Sequence, residues 1–170
     1  MRTLEEKNWL QQLSEKNEIT AVLNTNQYTE RFGLVLSEEE AKLLVQERFE
    51  SLKEQQRVEF GKGILDKLIY AFCDSAYIFQ DNYVDAITRL QEIFYLYKNE
   101  SMDELTDDEL IDYMKDAFEN ECQGSLDYLE DTCLELFARE IREKSRKTSF
   151  AGLSFPRLLF FSGVYGKMNR

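Results

Sequence analysis

Six residues in one short stretch combine phenol, thiol and carboxylate side chains: Tyr70, Cys73, Asp74, Tyr77, Asp81 and Tyr83. Phenols, carboxylates and a thiol together can hydrogen-bond a polar ligand or move a proton, which makes these six weak pocket candidates. The plainer expectation for the tyrosines is an apolar ring at the rim of a core with its hydroxyl in water. Elsewhere the chemistry is defined by what is missing. The chain has no histidine, so Ser-His-Asp and Cys-His nucleophiles, His-containing zinc sites and Glu-x-x-His di-iron sites are excluded. Gly61-Lys-Gly63 resembles part of a phosphate loop only superficially, because Gln56 stands where that motif places its first glycine. Asp103 to Glu109 has the charge of a calcium loop without its central glycine or its alternating ligands, and helix capping accounts for it better. With 33 Asp and Glu, carboxylate pairs arise on helices by chance and none is diagnostic. No catalytic, cofactor-binding or metal-binding residue is assigned, and no cofactor is expected.

The elements that must position these groups are helical. Only one Pro and seven Gly occur in 170 residues, too few for the frequent turns of a sheet protein. Tyr83, Ile87, Leu90, Phe94 and Tyr97 recur at helical spacing, and Ala86, Ile93 and Leu96 widen the stripe beyond half the circumference. A helix of that kind belongs inside a bundle. Ile64, Leu65, Leu68, Ile69 and Phe72 give the preceding segment the same character, and these two are taken as the central helices. Around them, Thr3 to Glu6 resembles a capping box opening a short helix with Trp9, Leu10 and Leu13 on one face, followed by a separate weaker patch at Ile19, Val22 and Leu23. Asn24 to Gln27 reads as a break, and Phe32 to Leu36 as extended or turn-like. Ser37 with Glu40, and Thr106 with Glu109, are capping boxes, the second with Leu105 placed to staple onto Leu110. Ser37 opens a stripe at Ala41, Leu44, Val45, Phe49 and Leu52. Glu38 and Lys42 form an i,i+4 pair on its wet face. Gly61 and Gly63 are expected to serve positive φ in the connection. Leu110, Ile111, Met114, Ala117 and Phe118 form the next stripe, which Gly124 ends. Ser125 caps a last helix whose face is Leu126, Leu129, Cys133, Leu136, Phe137 and Ile141. The expected fold is all-α, a single bundle of about five to seven helices.

Charge divides the chain. Residues 1–142 hold 15 basic and 32 acidic side chains, whereas residues 143–170 hold six basic and one acidic. The expected organisation is an acidic helical domain over 1–142 and a short basic, apolar C-terminal appendage over 143–170. The apolar run from Leu153 to Tyr165 is interrupted by Pro156 and Arg157 and is too short to span a bilayer. It is expected to fold back on the acidic body, with docking to a partner or a membrane surface as the alternative. The net charge of −12 opposes general nucleic-acid binding. Cys73, Cys122 and Cys133 are an odd number with no Cys-x-x-Cys pair, and Met1 to Lys16 has no apolar run. Free thiols in a reducing cytoplasm follow as the expectation.

The strings Phe32-Gly-Leu, Val58-Glu-Phe-Gly, Leu68-Ile-Tyr-Ala-Phe-Cys-Asp-Ser75 and Gln80-Asp-Asn-Tyr83 are distinctive, as are Glu92-Ile-Phe-Tyr, Asp107-Asp-Glu-Leu110 and Cys122-Gln-Gly-Ser125. Through them the chain, from about residue 24 to 142, resembles a bacterial domain-of-unknown-function family. The resemblance implies a small cytoplasmic helical protein and brings no activity, ligand or site residue. The functional expectation is a non-catalytic protein-interaction module with an acidic surface. Two alternatives stand beside it: an acidic inhibitor, immunity or nucleic-acid-mimic protein that neutralises a basic enzyme, and a small-ligand binder or enzyme using Asp, Glu and Tyr.

Overall fold

The computed structural model describes residues 4–59 and 63–151. Helix α1 runs over Leu4–Asn24, and a single α-turn at Asn26–Thr29 leads into a 3-10 turn at Glu30–Phe32. Helices α2 (Glu38–Glu54), α3 (Leu65–Phe72) and α4 (Tyr83–Glu100) follow. Helix α5 (Asp107–Asp116) is prolonged by a wide π turn at Ala117–Glu121. Helix α6 starts as Leu126–Tyr128, passes through a second π turn at Leu129–Cys133 and continues over Leu134–Ala151. There is no strand among the described residues, and the fold is the all-α bundle its sequence implies.

The centre is α4. It touches α2, α3, α5 and α6, and Tyr83, Ala86, Ile87, Leu90, Ile93, Phe94, Tyr95 and Tyr97 are all buried. Leu96, expected in the same stripe, is only half-buried. Helix α3 buries Leu65, Leu68, Ile69 and Phe72 against it. Aromatic rings carry much of the packing: Tyr97, Tyr113 and Phe137 form a three-ring cluster joining α4, α5 and α6, with centroids 5.0 to 5.7 Å apart. The Tyr97 hydroxyl donates to the Leu129 carbonyl at 2.8 Å, where α6 enters its π turn.

Helix starts are set by side chains that satisfy otherwise orphaned backbone N–H groups. Ser37 Oγ accepts from Glu40 N at 3.2 Å while the Glu40 carboxylate accepts from Ser37 N at 2.7 Å. Thr106 and Glu109 repeat the exchange, and Ser125 accepts from Tyr128 N. Leu105 is partly buried against the core, and the Glu38–Lys42 pair forms at 3.2 Å. Gly124 ends α5 with φ +82°, and a Cβ there would enter the Tyr77 ring.

Three expectations are corrected. The N-terminal helix is not short: nothing between Ser14 and Glu18 breaks it, so the Trp9 face and the Ile19–Leu23 patch share one 21-residue helix. Leu136 lies half exposed, because α6 aims Phe137 at Tyr97, and the adjacent position points about 100° away. Gly63 does not have positive φ; a Cβ there would collide with the Arg48 guanidinium and the Glu18 carboxylate, so close approach demands the glycine. Thr3, Gly61 and residues 152–170 lie outside the described residues, so the expectations for the first capping box, for Gly61 and for the C-terminal run fall outside them too. Helix α6 itself crosses the change of composition at residue 143 and continues to Ala151.

One core position works against stability. Gln91 is fully buried in α4, and neither its amide nitrogen nor its oxygen has a hydrogen-bond partner. An unsatisfied buried amide costs about 1–3 kcal/mol. Gln91→Met, close in volume, is expected to stabilise the fold by about 1–2 kcal/mol. The check is the urea unfolding midpoint at unchanged m-value; a lower midpoint would contradict the assignment.

Candidate functional site

Among the described residues the one charged side chain that is buried is Arg48, at the centre of a Glu–Arg–Glu cluster. Arg48 projects from the middle of α2 and is 3 % exposed. Its Nη2 donates to Glu59 Oε2 at 2.8 Å, and its Nε contacts the same oxygen at 3.3 Å. Its Nη1 bonds Glu18 of α1. The buried phenol of Tyr95, on α4, donates to Glu59 Oε2 at 3.1 Å. The cluster therefore ties α1, α2, α4 and the connection toward α3 at one point, with Gly63 letting the backbone pass beside it.

Two carboxylates share one guanidinium, so the cluster carries a net negative charge where water is scarce. Burial pushes the Glu18 carboxyl above its usual range despite the pull of Arg48. Burial works against the Arg48 charge, but the Glu59 hydrogen bond and the Glu18 charge outweigh it and keep the guanidinium firmly protonated. Burial and the neighbouring Glu59 charge raise the Tyr95 phenol well above its ordinary value. One oxygen of Glu18, Oε2, is buried without a hydrogen-bond partner.

Grooves open on both sides of this cluster. One, of about 340 Å³, is lined by Ser14, Asn17, Glu18, Val22, Gly63 and Asp66. The other, of about 420 Å³, is lined by Ser14, Arg48, Phe49, Leu52, Val58 and Glu59, among others. The first groove also has Ala21 and Leu65 in its wall, so its surface is largely apolar with the Glu18 and Asp66 carboxylates at its polar points. Among the described residues no group of three or more His, Cys, Asp or Glu is placed to hold a metal ion.

The six residues singled out in the sequence do not share one surface. Tyr83 is fully buried, and burial pushes its phenol up to about 12. Cys73 is buried beside the end of α3, with its thiol toward the Tyr70 carbonyl at 3.4 Å and its pKa raised by burial. Tyr70 is exposed and stacks edge-on against Tyr28 at 5.6 Å. Asp74 is exposed and pairs with Lys115 of α5 at 2.7 Å. Tyr77 lies edge-on to Phe118 at 5.9 Å and covers Gly124. Asp81 sits exposed in the 3-10 turn before α4. Tyr70, Cys73 and Asp74 are neighbours at the end of α3; Tyr83 and Cys73 belong to the core.

Sequence reasoning missed the Arg48 cluster. Its only signal was an arginine at a stripe position of α2, between Val45 and Leu52, where an aliphatic residue fits the period. It also missed that Cys122 and Cys133, which follow and close the two π turns, bring their buried sulfurs to 3.3 Å as free thiols.

The cluster makes two predictions. Arg48→Ala leaves two partly buried carboxylates without their shared cation and is expected to cost about 2–4 kcal/mol, read from denaturant unfolding at neutral pH. Glu18→Gln acts on pH dependence. The folded Glu18 value is raised above the ordinary 4.5, so the unfolded chain releases this proton first as pH rises. The stabilisation from Glu18 is present below that value and is lost as pH climbs through the raised folded one. Glu18→Gln therefore flattens the stability profile between about pH 4.5 and neutrality, and a variant with the same slope as the parent would refute the assignment.

Among the described residues no helix is long and apolar enough to cross a membrane. No curated protein and no solved structure matches the chain. One family model does, over residues 21–147, a span that begins in the last turn of α1, includes Arg48 and Glu59 and leaves out Leu4 to Thr20, Glu18 among them. The chain belongs to the family of unknown function DUF6323.

Proposed function

We propose that this is a non-catalytic, cytoplasmic bacterial protein-interaction module whose acidic surface receives a basic face of a protein partner. The observation that carries it is the distribution of charge. The cations that are placed between helices face carboxylates of other elements: Arg57 to Asp103, Lys67 to Asp108, Arg89 to Asp127 and Glu130, Lys98 to Asp107, Lys115 to Asp74 and Arg142 to Glu100. These six cations are thereby engaged within the fold, while Glu39, Glu50, Asp85, Asp112, Glu121 and Asp131 stand exposed, outnumbering the exposed Lys16, Lys53, Arg146 and Lys147. Such a surface attracts a basic partner and repels phosphate backbones. The non-catalytic part of the proposal rests on the buried phenols of Tyr83, Tyr95 and Tyr97 and the three buried thiols, all held toward their protonated, less reactive forms.

The test is capture from host lysate on the immobilised full chain, with elution by a salt gradient and identification by mass spectrometry. A basic protein retained at about 50 mM salt and released by about 0.5 M is the expected result. Retention of the same protein by a variant carrying Asp112→Lys, Glu121→Lys and Asp131→Lys, at the same elution salt, would count against the acidic surface as the contact. Reproducible turnover of a small molecule by the purified chain would overturn the non-catalytic reading.

A further inference from the structure

The first part of α1 is a helix with its apolar face turned away from the protein. At about 100° per residue, Trp9, Leu10 and Leu13 fall on one side, flanked by Glu6 and Lys16. Further on, Val22 and Ile19, which pack on the core, fall opposite Leu13 and Leu10, while Leu23 lies about 40° from Trp9. Trp9 is 61 % exposed, Leu13 41 % and Leu10 39 %. Every residue of 4–14 whose side chain is described is exposed. A helical arm of this length is marginal in water without a surface to pack on, and a projecting Trp-Leu-Leu face is costly to hydrate.

We infer that this face pairs with the same face of a second copy of the chain, the two arms lying antiparallel. The charges set the occupant and the register. An antiparallel pair centred on Gln11 puts Trp9 of each copy beside Leu13 of the other. It also puts Glu6 of each copy beside Lys16 of the other, so two apolar and two oppositely charged contacts form by symmetry. The acidity that opposes association of two such bodies is not concentrated here: residues 4–17 include Glu5, Glu6 and Glu15 against Lys7 and Lys16. Because Val22 and Ile19 meet the body from the side opposite Leu13 and Leu10, the two bodies sit outside the paired arms. The apolar area involved is a few hundred Å² per copy, below the roughly 1,200–2,000 Å² total of a permanent interface, so the dimer is weak and concentration-dependent. This inference is independent of the acidic-surface proposal.

The test is sedimentation equilibrium of the full chain across concentration, with the emission of Trp9, its only tryptophan, as a local reporter. The expected result is a monomer–dimer equilibrium in the micromolar range with Trp9 emission shifting to the blue as dimer forms. Leu13→Glu is expected to abolish the dimer without moving the urea midpoint, since the arm does not hold the body together. Glu6→Lys and Lys16→Glu each place like charges together and weaken the dimer about tenfold, and the double variant restores it. A chain that stays monomeric at all concentrations overturns the inference, whether Trp9 is open to quencher or shielded by another segment of the chain. A dimer indifferent to Leu13→Glu, or a double variant as weak as the singles, overturns it as well. A Leu13→Glu monomer that still captures a salt-released partner separates this interface from the acidic one.

Discussion

A helix with apolar side chains around most of its circumference is insoluble as a separate object, and α4 is such a helix. Its demand for cover on every side dictates the arrangement: α2, α3, α5 and α6 all touch it. Burial of a large aliphatic or aromatic side chain is worth about 1.5–3 kcal/mol, and eight apolar residues of α4 are buried. That driving force is large enough to tolerate local costs, among them the unsatisfied amide of Gln91 and a buried cluster with two negative charges and one positive.

Holding an acidic chain together raises a second constraint. At a net charge of −12, helices brought side by side repel unless cations are placed between them. Lys67, Arg89, Lys98, Lys115 and Arg142 each bridge from one helix to a carboxylate on another element. Exposed pairs of this kind contribute little individually. Their effect is positional: they set a cation between carboxylate-bearing elements at each of these seams. Arg48 differs because it is buried, and its removal would leave the partly buried Glu18 and Glu59 carboxylates without their shared cation.

The parts of this structure legible in the sequence are those determined by neighbours a few residues apart. The stripe of α4 is readable because Tyr83, Ile87, Leu90, Phe94 and Tyr97 repeat at helical spacing, and all are buried. The caps at Ser37, Thr106 and Ser125 are readable because donor and acceptor stand three residues apart. The Arg48 cluster was not readable, since Glu18 and Glu59 are 30 and 11 residues away and look like any other acid in a chain full of them. Gly63 was credited with the wrong freedom for the same reason: the atoms that forbid its Cβ belong to side chains distant in sequence. Leu136 was misplaced because an apolar residue near a stripe is indistinguishable from one on it until the facing rings are known. The six residues from Tyr70 to Tyr83 drew attention by type, but a short stretch that ends one helix and begins the next points its side chains in several directions.

The paired π turns carry a consequence for how this fold can change. The first ends α5, but the second accommodates an extra residue within a helix that continues, so it acts as a phase offset between the parts before and after it. In α6 the offset at Leu129–Cys133 is what keeps Leu129, Cys133, Phe137 and Ile141, at successive steps of four, all buried against the body. Without that wide turn all three steps would drift about 40° and accumulate about 120°, whereas the turn offsets the first of them and leaves Ile141 nearer the seam. Length at this point is therefore information: loss of a single residue between Leu129 and Cys133 preserves every side-chain type downstream while rotating all of them relative to α4. Insertions and deletions here are constrained by angular phase as much as by composition.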